Sequence, residues 1–159
     1  MYRSLAIILA LLPILSAAGG WLPREVAEVR AFVYDYTQEE GNQSLMKGGR
    51  LHRGVINGDG TKLDEGQVER LRDALRSSEK RIPGAFCYMP HHGFGFYDAE
   101  GVPMGYIELC FQCGNVKNFP AGLPERQWDW GAIRELLGEM EIPILDEDED
   151  YTRLFLARD

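Results

Sequence analysis

Two apolar-rich runs at residues 93–97 and 104–111 flank Asp98-Ala99-Glu100-Gly101, and no other feature restricts the fold of this chain as tightly. Strand-like runs separated by turn residues specify a β-hairpin. In the second run Ile107, Leu109 and Phe111 share one face, while Tyr106, Glu108 and Cys110 share the other. Antiparallel pairing about the turn sets residue 92 opposite about 107 and residue 89 opposite about 110. The stretch from Cys87 to His92 therefore returns close to Cys110 and Cys113.

Around this hairpin the pattern is that of an α+β chain. Residues 29–36 (VRAFVYDY) carry apolar side chains on both faces, as a covered central strand does. Residues 51–56 alternate as a second strand and residues 85–89 make a third. Asp64 caps a helix with Gln67 as its capping-box partner and Leu63 with Val68 as its staple. Val68, Leu71 and Leu75 give that helix one apolar stripe. A second helix runs from Asp129 to Glu141, buries Ile133, Leu136, Leu137 and Met140, and is stopped by Pro143. Residues 41–49, 115–124 and the acidic run 146–150 read as loops, and residues 152–157 as a closing strand. The expected architecture is one domain, an antiparallel sheet of about five strands with two helices on one face.

The first eighteen residues stand apart. Arg3 supplies a positive n-region, residues 5–15 (LAIILALLPIL) an apolar h-region, and Ser16-Ala17-Ala18 the small residues read by a signal peptidase. A spanning helix wants about 20 apolar residues, and this run is shorter, contains Pro13 and stops at Gly19-Gly20. The expected division is a cleavable signal peptide at 1–18 and a single domain at 19–159, exported to the periplasm or beyond the cell without stable membrane association. Cleavage leaves 141 of the 159 residues and, with Arg3 gone, changes the formal charge from −8 to −9. Such acidity excludes nucleic acid, whose phosphates require a basic footprint. The expected partner is a protein or a small molecule.

All three cysteines and two of the three histidines fall between residues 87 and 114. Cys110-Phe111-Gln112-Cys113-Gly114 has knuckle spacing, and Cys87 with His92 adds a Cys-x4-His arm. Together Cys87, His92, Cys110 and Cys113 have the composition of a tetrahedral Cys3His site, which suits zinc. Copper is a lesser alternative, because thiolates also suit Cu(I). Export favours a different use of the same residues. In an oxidising compartment two cysteines ordinarily join as a disulfide, and an odd count leaves one thiol. Cys87 with Cys110 or Cys113, and Cys110 with Cys113, are all open pairings. His91 and His92 are then packing or hydrogen-bonding residues.

Enzyme chemistry has less support. Cys87 beside a histidine has the composition of a nucleophile and base, and Cys110 with Cys113 that of a redox pair. Yet a thioredoxin-type pair begins a helix, whereas this one ends a strand. Glu108 within the strand calls for a cationic or hydroxyl partner. Asn57-Gly58-Asp59-Gly60-Thr61 opens like a calcium loop, but Lys62 and Val68 stand where Gly and Glu are needed.

The pattern C-Y-x-P-x-H-G-F-x-F-Y-D at 87–98, followed by Y-I-E-x-C-F-x-C at 106–113, resembles an uncharacterised family of small exported bacterial proteins. The resemblance extends to residues 49–56 and the helix at 64–77. It singles out Cys87, Pro90, His92, Gly93, Tyr97, Asp98, Glu108, Cys110 and Cys113, and brings no activity with it.

Overall fold

Five strands pair antiparallel in the order β4-β1-β5-β6-β7. They are β1 (Glu28–Val33), β4 (Thr61–Lys62), β5 (His92–Tyr97), β6 (Pro103–Cys110) and β7 (Asn115–Phe119). A two-stranded ribbon, β2 (Met46–Lys47) with β3 (Arg50–Leu51), lies apart from them. The computed structural model describes residues 26–76, 87–122 and 128–158. The signal-peptide segment and the first residues of the expected strand at 85–89 lie outside these. Residues 87–89 are described and are not a strand.

Helices α1 (Glu65–Leu75), α2 (Trp130–Glu139) and α3 (Asp148–Leu156) cover one face of the sheet. Val29, Ala31, Val33, Phe94, Phe96, Ile107 and Leu109 point into this core from the strands. Val68, Leu71 and Leu75 of α1, Ile133, Leu136 and Leu137 of α2, and Tyr151 of α3 meet them. The α1 cap is the expected box: Asp64 accepts from the Gln67 N–H, and the Gln67 side chain accepts from the Asp64 N–H. Asp129 caps α2 through the Ala132 N–H.

The opposite face is covered without a helix. Phe32, Tyr34 and Tyr97 of this side pack with Leu45, Met46 and Val55 from the connection between β1 and β4. Two glycines of β5 make room for that connection. A Cβ at Gly93 would lie 2.7 Å from Leu45 Cδ2 and 2.5 Å from the Ile107 carbonyl oxygen, and one at Gly95 would lie 2.7 Å from Met46 Cε.

Several elements differ from the sequence reading. The first strand ends at Val33, because Asp35 caps a 3-10 turn at Tyr36–Gln38. Of the expected strand at 51–56 only Leu51 pairs as strand, and Val55 makes an isolated bridge to Tyr34. Residues 115–119, expected as loop, form edge strand β7. The expected closing strand at 152–157 is helical through Leu156, with Ala157 as the C-cap, and the acidic run supplies the start of α3. Asp148, Glu149 and Asp150 sit in its first turn, where the helix dipole favours negative charge. The hairpin pairs His92 with Leu109 rather than 107: Tyr97 already pairs with Pro103, and the register slips by one further residue between Phe96 and Tyr97.

Candidate functional site

The register of the hairpin decides which site residues meet. His92 lies opposite Leu109 and shares its face, so its ring points toward the helices. Cys110, one residue further along β6, points to the other face. The ring of His92 is buried edge-on to Phe111 and Tyr151, at 5.1 and 5.7 Å between centroids. Its Nε2–H donates to the Pro143 carbonyl at 2.8 Å. Burial lowers its pKa to about 4, with His91 and Arg134 acting in the same direction.

The three cysteines do come together. Their sulfurs all lie within 4.8 Å of one another. Cys87 and Cys113 are joined as a disulfide with their Cα atoms 5.9 Å apart, and Cys110 is a buried free thiol. The Met89 N–H donates to Cys110 Sγ at 3.4 Å, and the Asn115 amide donates to the Cys87 carbonyl at 2.6 Å. These two bonds hold residues 87–89 along the ends of β6 and β7. A metal binds thiolate, not disulfide sulfur. In this oxidised form the set therefore offers one thiol, which does not fit a four-ligand zinc site.

Beside the cysteines, on the same face of β6, lies Glu108, with 1% of its surface exposed. Its Oε1 accepts the Leu45 N–H at 2.7 Å, and its Oε2 accepts the Tyr88 hydroxyl. Lys117, its partner across β7, places Nζ 3.7 Å from the centre of the Tyr88 ring. Glu108 thus has both the hydroxyl and the cationic neighbour its position in a strand calls for. Burial raises its pKa, opposed by the bonds from Tyr88 and Leu45 and by Lys117. The same burial and the Glu108 charge push Tyr88 well above the usual tyrosine range.

His91 serves neither cysteine nor metal. Its Nδ1 lies 3.0 Å from the Tyr34 carbonyl oxygen and its Nε2 lies 2.9 Å from Asp148 Oδ1. The ring stacks on Tyr151 at 3.6 Å with the planes 4° apart. His52 is equally occupied. It accepts the Gly54 N–H at Nδ1 and meets the Asn42 carbonyl oxygen at Nε2.

Next to Glu108 the face of β6 and β7 opens into a cleft of about 1070 Å³. Met104, Tyr106, Lys117 and Phe119 line it from the two strands, and residues 36–49 contribute the rest of its wall. Tyr106 and Phe119 are cross-strand partners whose rings stack at 5.7 Å, and Phe119 is 59% exposed. None of the three cysteines lines this space. No family model, curated protein or solved structure matches this chain. The cleft was missed in the sequence because β7 carries no period-two pattern. Asn115, Lys117 and Phe119 share its open face, and only their pairing across to β6 makes them a surface.

Among the described residues no helix is long and apolar enough to cross a membrane.

Proposed function

We propose that this chain is an exported binding module, tied by the Cys87–Cys113 disulfide, that takes a small aromatic molecule in the cleft over β6 and β7. The observation that carries this reading is the cleft itself. It has the size of a small-molecule site and an aromatic floor in Tyr106 and Phe119, with the polar chain of Asn42, Gln43 and Ser44 along its wall. The cysteines support it from behind. They anchor Tyr88, Tyr88 holds Glu108, and Glu108 holds the Leu45 end of the wall.

Export is supported by the leader at residues 1–18 and by a disulfide, which persists in oxidising compartments. Zinc held by Cys87, His92, Cys110 and Cys113 is the less favoured reading, since it needs the disulfide reduced and His92 turned out of its pocket.

The test uses the purified mature protein and the neutral apolar dye N-phenyl-1-naphthylamine. Saturable one-to-one binding, lost in the double variant Tyr106→Ser/Phe119→Ser, is the expected result. Absence of saturable binding, or binding untouched by the double variant, overturns the cleft reading. Thiol titration with elemental analysis tests the tie: one free thiol, no metal and a mass two protons below the reduced chain. One metal per chain with three thiols released by a chelator returns the reading to a metal centre.

A further inference from the structure

Cys110 has no role in the disulfide, yet it is buried against it, with its sulfur within 4.8 Å of both bonded sulfurs. A thiol packed only as a small apolar residue needs no donor. This one receives the Met89 N–H at 3.4 Å. Burial also differs among the three. Cys110 is fully enclosed and Cys113 is 4% exposed, whereas Cys87 is only half-buried. Cys110 and Cys113 are separated by two residues of the turn that leaves β6, a spacing that a disulfide can close.

We propose that the three cysteines form an exchanging disulfide, in which Cys110 displaces Cys87 from Cys113 and presents Cys87 as a reactive surface thiol. The Cys110 thiol gives up its proton as its sulfur attacks Sγ of Cys113. The Cys110–Cys113 bond forms as the Cys87–Cys113 bond breaks. The bonding pair leaves on Cys87 sulfur, which takes up a proton. One disulfide and one thiol stand on each side of the step, so no oxidant or reductant enters. The exchange moves the thiol from an enclosed position to one that disulfide-bearing or electrophilic molecules can reach. It is independent of what the cleft holds.

The native mature protein, alkylated with iodoacetamide at mildly alkaline pH and mapped by mass spectrometry without reduction, provides the test. The expected label is on Cys87, in molecules whose Cys110–Cys113 peptide is two protons light. Cys110→Ser should abolish that label. Alkylation confined to Cys110 with Cys87–Cys113 intact overturns the proposal, and so does labelling no faster than global unfolding. Cys87→Ser gives a second reading. Exposed to oxidised glutathione, it should lose both remaining thiols to a Cys110–Cys113 bond. Persistence of two thiols in the folded variant shows that the pair cannot join and also overturns the proposal.

Discussion

Glu108 Oε1 accepts the Leu45 N–H at 2.7 Å across 63 residues of chain, and this bond fixes the loop wall of the cleft to the sheet. Leu45 is itself fully buried, so its N–H has no access to water once the carboxylate is gone. Glu108→Ala would orphan that donor and release the Tyr88 hydroxyl. A buried donor left without an acceptor costs about 1–3 kcal/mol, and a loss of that size should appear in urea unfolding. Glu108→Gln keeps an oxygen for Leu45 and should lose less. Equal losses for the two variants would mean that the Leu45 bond contributes little.

The same wall depends on the absence of two side chains. At Gly93 a methyl group would meet the backbone oxygen of Ile107 at 2.5 Å, which cannot yield without moving β6. At Gly95 the nearest atom is the end of the Met46 side chain, which can turn aside. Gly93→Ala should therefore cost more than Gly95→Ala, with overpacking of this kind costing about 1–3 kcal/mol. Comparison of the two urea midpoints checks the order. A larger loss at Gly95 would contradict the packing described for the wall.

The elements legible in the sequence were those whose signals are local. The cap and stripe of α1 depend on Asp64, Gln67, Val68, Leu71 and Leu75, all within one helix, and the hairpin on a turn between two apolar runs. The α+β architecture and the antiparallel sheet follow from these. What stayed illegible was set by distant partners. Residues 152–156 are helical because Tyr151 stacks on His91 and Thr152 donates to Asp35, contacts no short window contains. Edge strand β7 exists through its pairing with β6. At the site, knuckle spacing correctly drew attention to the three cysteines. Side chains alternate along a strand, so His92, whether opposite 107 or 109, shares the helix face with those residues, while Cys110 points to the other face. That alternation keeps the His92 ring out of the cysteines' reach.

That burial of His92 has a consequence in acid. Desolvation lowers its pKa from an ordinary 6.5 to about 4, so between these values the unfolded chain binds a proton that the folded chain does not. Stability from the neutral ring is fully present above about pH 6.5 and is lost as pH falls through about 4. Buried Glu108 has the opposite sign. Its raised pKa contributes stability that is lost as pH rises through the folded value. His92→Gln retains a donor for the Pro143 carbonyl and carries no titrating proton. Unfolding free energy measured from pH 7 to pH 4 should fall less steeply in this variant than in the parent. Parallel slopes would show that His92 is not buried as a neutral ring.

Helix α3 is held to the sheet by a small number of polar contacts, and removing one should loosen this helix selectively. Asp148 accepts the Tyr36 hydroxyl at 2.6 Å with Oδ2 and faces His91 Nε2 with Oδ1. The other His91 nitrogen, Nδ1, faces the Tyr34 carbonyl oxygen at 3.0 Å. Burial and the Asp148 carboxylate together push the Tyr36 pKa upward, keeping its hydroxyl a donor. Asp148→Ala removes the acceptor common to Tyr36 and His91, while Thr152 still donates to Asp35 Oδ2 at 2.8 Å. The expected cost is about 1–2 kcal/mol, read as faster amide exchange confined to α3. Core strand β5, sealed between β1 and β6, should exchange as slowly as before in the local-opening regime. Acceleration of β5 and α3 to the same degree would mean that the helix does not open separately from the sheet.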